Sequence, residues 1–167
     1  MTNPYLRLDR RLFLTAASVG LVAASAGRVW AAGAVLPAPQ SLPDELGKAL
    51  ETGNPLVVMV SLEGCPFCRV ARDSYLEPLR RQEGLPIFQI DMRSAKAVRD
   101  FNGASVTHDQ CVQAWRITIA PTVLFFGPRG KEIVARMEGG YIADFYGAYL
   151  DQRIDQARAL IKAAKSS

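Results

Sequence analysis

Two cysteines three residues apart follow directly on an apolar segment, and this junction restricts the possible folds more than any other feature of the chain. Residues 56–62 have the sequence LVVMVSL, an almost continuous apolar run typical of a strand buried on both faces of a sheet. Cys65 and Cys68 come next, in the sequence CPFC, and the residues from Pro66 onward have helical spacing. The pattern predicts a central strand that leads into a cysteine pair at the start of a helix.

Helical and strand patterns alternate along the rest of the chain. The predicted helices are residues 44–52, a helix from Pro66 that bends or ends near Pro78, residues 94–101, residues 107–115, and a last helix from about Ile142; the predicted strands are residues 56–62, 86–92, 121–126 and 131–137. Thr107 and Gln110 have the spacing of a capping box, and the last two strands form a hairpin. This order predicts an α/β fold, with a mixed sheet and helices on both of its faces.

The element order, with C-x-x-C between the first buried strand and its helix, resembles the thioredoxin fold. Ala120-Pro121-Thr122, at the start of the third strand, matches a second hallmark of that superfamily, in which the proline is cis and lies beside the cysteine pair. Gly139-Gly140 before the last helix is a third match. The resemblance covers roughly residues 42–162 and implies a mixed central sheet of about four strands flanked by helices on both faces.

Within the superfamily, the chain most resembles bacterial periplasmic thioredoxin-like proteins with CPxC centres, including the thiol-reducing partners of sulfur-oxidation systems. The CPFC centre is nearer to the Cys-Pro-Tyr-Cys of glutaredoxins than to the Cys-Gly-Pro-Cys of thioredoxins. Two positions depart from the thioredoxin pattern: Met59 replaces a buried Asp, and Gly64 replaces the Trp before the first cysteine. These departures leave the direction of electron flow open.

Cys65 is the predicted nucleophile and Cys68 the predicted resolving thiol. Disulfide exchange requires an accessible thiolate, together with a second thiol close enough to release the mixed disulfide. At the start of the helix, the sulfur of Cys65 would face free N–H groups and the positive end of the helix dipole. Cys68 would lie one turn further on the same face, within disulfide reach but more buried.

The predicted substrates are disulfides of partner proteins or of small thiols. The resemblance implies a substrate-binding surface formed by Pro66, Phe67, Ala120 and Pro121, with the backbone of Ala120 presented to the incoming chain as a strand edge. Glu63, two residues before the first cysteine, is a candidate for proton transfer in place of the missing Asp. The same cysteine pair run in the opposite direction would make the protein a disulfide oxidase or isomerase, and this alternative stays open.

Other uses of the cysteine pair are less favoured. A structural disulfide across three residues stabilises little, because the loop that it closes in the unfolded chain is tiny. A metal site usually needs a second cysteine pair or histidines, and the chain offers only Cys111 and His108. We therefore expect no metal and no cofactor, with a Cu(I) metallochaperone as the remaining alternative. Cys111 is predicted to be a buried thiol and His108 a surface residue.

The N-terminal residues resemble an export signal rather than part of a fold. Residues 1–32 contain Arg10-Arg11, an apolar run and small residues suited to cleavage, as in a twin-arginine signal. Residues 33–43 contain three prolines and are predicted to be a linker, with a thioredoxin-like domain over residues 44–167. This organisation predicts a periplasmic protein, with a membrane-anchored protein facing the periplasm as the alternative.

The net charge of +4 does not indicate a nucleic-acid-binding protein. Residues 1–31 carry four arginines and one aspartate, so that +3 of the charge lies within the predicted signal. The remaining basic and acidic residues nearly balance, and they supply no basic face for phosphates. The predicted partners are disulfide substrates and a membrane-embedded electron donor that recycles the pair, and the protein is predicted to be a monomer.

Overall fold

The structure is a computed structural model that describes residues 35–140 and 143–166, all within one compact unit, Ala32–Ser167. The predicted export signal lies outside the described residues. The helices are α1 (Leu42–Glu51), α2 (Pro66–Ala71), α3 (Glu77–Gln82), α4 (His108–Ala114) and α5 (Ala143–Lys165), with a π-helical segment (Arg72–Leu76) between α2 and α3. The strands are β1 (Leu56–Ser61), β2 (Ile87–Asp91), β3 (Ala97–Arg99), β4 (Ser105–Thr107), β5 (Thr122–Gly127), β6 (Lys131–Glu132) and β7 (Met137–Glu138).

The described residues form a mixed five-stranded sheet around β1. Strand β2 pairs with β1 in parallel, β5 pairs with the other side of β1 antiparallel, and β6 and β7 both pair with β5. Every residue of β1 and β5 is buried. The prediction of a mixed sheet with helices on both faces is confirmed.

Two hydrophobic cores cover the two faces of the sheet, because successive side chains of a strand point in opposite directions. Val57 and Met59 of β1 lie in the first core, which α2, the π-helical segment and α5 cover. Val58 and Val60 lie in the second core, which α1 and α4 cover. An alternating pattern is therefore absent from the sequence of β1, since both of its faces are apolar.

The predicted fourth strand is interrupted in the structure. Glu132 pairs with Phe126, and Met137 pairs with Val123. The chain at the edge of the sheet therefore advances five residues where β5 advances only three. The two extra residues form a bulge, which is typical of edge strands and discourages pairing with another chain. The predicted single strand therefore becomes β6 and β7.

The prediction of a helix over residues 94–101 is wrong. Residues 97–99 form β3, which pairs antiparallel with β4. Val98 is buried between two exposed neighbours, which is the period of a strand rather than of a helix. The turn that follows is stabilised locally, because the Asp100 carboxylate accepts hydrogen bonds from the backbone N–H groups of Asn102 and Ala104.

The helix that follows the cysteine pair continues through Pro78. The N–H of Glu77 donates to the carbonyl of Arg72, five residues earlier, within the π-helical segment. Pro78 follows at once and has no N–H to donate to the preceding turn, and the wider π-helical turn accommodates this missing bond. The expected irregularity near Pro78 is present as a wider helical turn just before the proline.

The part of the predicted linker that the structure describes packs against the domain. Leu36 is buried in the first core, and the carbonyl of Pro37 accepts a hydrogen bond from the N–H of Gln89 on β2. Ser41 caps α1, which begins at Leu42 and not at Asp44. The folded domain therefore extends at least to Leu36.

Candidate active site

Cys65 and Cys68 form a disulfide at the start of α2, with their Cα atoms 5.3 Å apart. Cys65 is the N-cap of α2, and its Sγ accepts a hydrogen bond of 3.1 Å from the backbone N–H of Cys68. Cys65 is half-buried, whereas Cys68 is 1% exposed and belongs to the first core. The sulfur that an incoming molecule can reach is therefore that of Cys65, and it already faces a helix N–H group that would stabilise a thiolate.

The segment Ile119-Ala120-Pro121 lies beside this disulfide. The Ala120–Pro121 peptide bond is cis, and the carbonyl oxygen of Ala120 lies 3.9 Å from the Sγ of Cys65. The carbonyl of Pro121 accepts a hydrogen bond of 2.7 Å from the N–H of Gly139, which ties the segment to the turn after β7. Two segments that are 55 residues apart in the sequence thus meet at the sulfur of Cys65.

An apolar surface, formed by Phe67, Ile119, Gly139 and Gly140, lies on one side of the disulfide. Phe67 is 62% exposed and Ile119 is 48% exposed, which is unusual for large apolar side chains. The ring of Phe67 lies so close to Gly140 that a Cβ atom there would come within 2.9 Å of it. A side chain at position 140 would therefore displace the ring.

A polar groove lies on another side of the disulfide. This groove is open, has a volume of about 1000 Å³, and extends from the cysteine pair to the end of β2. Both cysteines line it, together with Glu63, Arg69, Arg72, Gln89, Asp91 and Arg93. Glu63, the candidate for proton transfer, is exposed at its rim.

The two departures from the thioredoxin pattern have separate structural consequences. Met59 is fully buried and packs in the same core as Cys68. Gly64 has a φ angle of +75°, a left-handed backbone conformation in which glycine avoids the steric cost of a Cβ atom. The apolar residue thus shares a core with Cys68, while the glycine forms the turn that leads to Cys65 at the helix start.

The prediction that His108 is a surface residue is wrong, because its side chain is fully buried. Its Nδ1 accepts a hydrogen bond of 3.1 Å from the backbone N–H of Asp91, and its Nε2 has no partner among the described residues. Burial lowers the pKa of His108, and the nearby Asp91 carboxylate opposes this shift. A signal existed in the sequence: His108, Cys111 and Val112 share one face of α4, and all three are buried.

The prediction that Cys111 is a buried thiol is confirmed. The side chain is 3% exposed and lies in the second core, on the opposite face of the sheet from Cys68. Burial raises the pKa of its thiol to about 11. A neutral thiol of this kind is a poor nucleophile, and Cys111 therefore does not compete with the disulfide pair.

Neither a metal centre nor a membrane span is found within residues 35–140 and 143–166. No three His, Cys, Asp or Glu side chains of these residues come together as metal ligands would. No helix in the same ranges combines the length and the apolarity that crossing a membrane requires.

Several known structures share this architecture. The described fold is similar to an oxidoreductase called DsbH, with a TM-score of 0.50 and 18% sequence identity. The matched region covers 77% of this chain and 88% of the other. A weaker similarity is found to Trxlp from Edwardsiella tarda, with a TM-score of 0.46 and 22% identity; the match covers 70% of this chain and 98% of the other. Oxidised thioredoxin O2 from Arabidopsis thaliana also has a TM-score of 0.46, with 16% identity, and the match covers 67% of this chain and 90% of the other. No curated protein sequence matches the chain.

A sequence model of the thioredoxin-like domain matches residues 42–154, which are more than half of the chain. The matched region begins with α1, contains the cysteine pair and the cis proline, and ends within α5. The chain therefore belongs to the thioredoxin-like domain family.

Proposed function

We propose that the protein is an exported thiol–disulfide oxidoreductase that reduces disulfides of partner proteins or small thiols. The observation that carries this proposal is the asymmetry of the cysteine pair. Cys65 is accessible, caps a helix and lies 3.9 Å from the Ala120 carbonyl, whereas Cys68 is buried directly behind it. One sulfur is therefore suited to meet a substrate and the other to release it.

The proposed reaction begins with the reduced pair. The Cys65 thiolate attacks one sulfur of the substrate disulfide, whose S–S bond breaks; the departing sulfur takes the electron pair and a proton. Cys68 then attacks the sulfur of Cys65, breaks the mixed disulfide and releases the second substrate thiol. The substrate disulfide is reduced to two thiols, and the protein pair is oxidised to a disulfide.

The proposed substrate surface is the apolar surface together with the Ile119–Pro121 segment. Phe67 and Ile119 offer exposed apolar contacts on this surface, and neither contact requires a charged group on the substrate. The backbone of Ala120 would pair with an extended substrate segment, as a strand edge does. Such recognition depends on backbone and apolar contacts, which suits a protein with several partners.

The experiment that tests the function is capture of a substrate by Cys68→Ser, because this variant can form the mixed disulfide but cannot resolve it. We expect disulfide-linked adducts to accumulate on Cys65 in cells, and reducing agent to dissolve them. Cys65→Ser is the matched control, since it keeps one cysteine of the pair but loses the accessible one. Failure of both variants to capture any thiol-containing molecule would contradict the proposed function.

The direction of electron flow follows from the reduction potential of the pair. A potential close to the roughly −270 mV of thioredoxin indicates a reductant, and a potential near the roughly −120 mV of strong oxidases indicates a disulfide oxidase. We propose the first direction, with a membrane-embedded electron donor that reduces the pair again. Equilibration with glutathione buffers measures the value.

Export is supported by the Arg10-Arg11 pattern within residues 1–32. A periplasmic location suits a protein with a disulfide pair, because that compartment permits disulfides. Fractionation of cells that express the wild type and an Arg10→Lys/Arg11→Lys variant tests the proposal. We expect the wild type in the periplasmic fraction and the variant in the cytoplasm; wild-type protein in the cytoplasm would contradict export.

A further inference from the structure

The buried position of Cys68 creates a chemical requirement that the strand beneath it does not meet. A thiol in an apolar core is held in its neutral form, so Cys68 must lose a proton when it attacks the mixed disulfide. Met59 of β1 lies in the same core, and a thioether sulfur does not serve as a proton acceptor at ordinary pH. A group outside β1 must therefore accept the proton.

The neighbouring strand β2 carries a carboxylate, Asp91, two residues beyond the position that pairs with Met59. In the parallel register, Gln89 pairs with Met59, and Asp91 pairs with Ser61, so that these side chains share one face of the sheet. Asp91 lines the same polar groove as Cys68. An open groove admits water, and a single water can carry a proton between a thiol and a carboxylate.

Side-chain hydrogen bonds hold the Asp91 carboxylate in place. The Nε2 of Gln89 donates to the Oδ1 of Asp91 at 2.6 Å, and the Oε1 of Gln89 accepts from Nη1 of Arg72 at 3.3 Å. The Asp91 backbone is fixed as well, because its N–H donates to the buried Nδ1 of His108. The carboxylate side chain remains 40% exposed, so it can exchange the proton with solvent afterwards.

Glu63 lines the same groove but is held less firmly. Its side chain is exposed, and it makes no hydrogen bond or ion pair with any residue in the described part of the chain. An unrestrained side chain must be positioned anew in each reaction, whereas Asp91 is positioned in advance. The geometry therefore favours Asp91 over Glu63.

We propose that Asp91 is the proton acceptor for Cys68 in the resolving step, a role that rests on the proposed function. As the sulfur of Cys68 bonds to the sulfur of Cys65, the Cys68 proton passes to the Asp91 carboxylate, directly or through one water. The Cys65–substrate bond breaks, and the substrate sulfur leaves with the electron pair. The proton then returns from Asp91 to this thiolate or to solvent.

The charges around Asp91 define the pH range in which this role can be observed. Arg69, Arg72 and Arg93 line the groove as basic side chains, and Glu63 lines it as a second carboxyl group. His108 of α4 faces Asp91 from the second core, and its Nδ1 lies 4.0 Å from Oδ2 of Asp91. Because burial lowers the pKa of His108, a pH series from neutral pH upward does not titrate this ring, and the comparison follows the resolving thiol.

The test is a rapid-mixing reaction of the reduced protein with an equimolar amount of dithiobis(nitrobenzoate), which releases coloured thionitrobenzoate twice. The first release reports attack by Cys65, and the second reports attack by Cys68. We expect Asp91→Asn to slow the second release by about 10- to 100-fold near neutral pH and to leave the first release unchanged. The difference between Asp91→Asn and the wild type in the rate of the second release should shrink as pH rises, because hydroxide and water can then remove the Cys68 proton without a carboxylate.

Three further variants make the result specific. Cys68→Ser cannot give the second release, so its time course shows which phase comes from Cys68. Asp151→Asn makes the same chemical change at an exposed position of α5 and should behave as the wild type. If Asp91→Asn fails to fold, Gln89→Leu removes the hydrogen bond that positions Asp91 and should slow only the second release.

The outcomes separate this proposal from the proposed function. A second release that Asp91→Asn leaves unchanged, or slows equally at every pH, would overturn the role of Asp91 while the function stands. A slowed second release in Glu63→Gln with a normal one in Asp91→Asn would assign the proton to Glu63 instead. Absence of both releases in the wild type would contradict the proposed function itself.

Discussion

His108 is a buried imidazole beside the candidate site, and its burial links protonation to folding. Its Nδ1 accepts the backbone N–H of Asp91, so the neutral ring carries its proton on Nε2, which has no partner among the described residues. A charged ring would lose this acceptor and would place a positive charge in the second core. The folded protein therefore binds a proton at His108 less readily than the unfolded chain does.

We expect the free energy of unfolding to decrease in acid through His108. The folded-state pKa is lowered from 6.5, so the contribution of the neutral ring is complete above pH 6.5 and is lost as pH falls through the lowered value. One proton changes the stability by at most about 1.4 kcal/mol per pH unit. Urea unfolding at several pH values measures this dependence.

His108→Gln is the informative variant, since the chain has a single histidine. Its stability should vary less than that of the wild type as pH falls from 7 to 5, because glutamine does not titrate. Identical pH dependence in the two proteins would contradict the burial of a neutral ring.

At the scale of elements, α4 is the short helix that carries both His108 and Cys111. It has seven residues, and the stability of such a short helix depends on the contacts made at its ends. Thr107 and Gln110 form the predicted capping box, with Gln110 N–H donating to the Thr107 hydroxyl at 3.1 Å and Thr107 N–H donating to the Gln110 amide oxygen at 2.8 Å. The cap therefore determines where α4 begins and how His108 faces Asp91.

Removing this cap should destabilise the protein measurably. We expect Thr107→Ala to lower the free energy of unfolding by about 1 kcal/mol, because an N–H group at the start of α4 loses its acceptor. Thr118→Ala is the matched control, since Thr118 is exposed and outside the helix. Thermal unfolding followed by circular dichroism compares them; equal losses in the two variants would show that the cap contributes nothing specific.

At the scale of the whole molecule, the folded domain includes residues that composition assigns to a linker. Leu36 is 3% exposed in the first core, together with residues of β1, β2 and α5. The preceding residue, Val35, is 75% exposed. The segment thus contributes one apolar side chain to the core, and the carbonyl of Pro37 accepts a backbone hydrogen bond from β2 at the edge of the sheet.

Leu36→Ala tests how far the cooperative unit extends. We expect it to lower the free energy of unfolding by about 2–4 kcal/mol, as for other buried leucines. Val35→Ala should change the stability by less than about 0.5 kcal/mol, because its side chain is in solvent. Denaturant unfolding measures both, and a small effect at Leu36 would mean that the segment is dispensable for folding.

Much of the fold follows from local sequence patterns. The continuous apolar run at β1 indicates a strand covered on both faces, and the Thr107/Gln110 spacing indicates the start of α4. The helix predicted over residues 94–101 is wrong because the three residues of β3 are too few for the sequence alone to distinguish a strand from a helix. The interrupted edge strand and the packing of Leu36 were not predictable either, since both depend on partners distant in the chain.

The sequence by itself determined the cysteine pair, its place between a buried strand and a helix, and the family to which the domain belongs. These features are local, or they match a pattern of spaced motifs. Only the tertiary structure decided that Cys65 lies beside Ala120, that His108 is buried, and that Asp91 shares a groove with Cys68. Strand register and helix docking fix these contacts, and no local pattern encodes which side chains such long-range pairing will bring together.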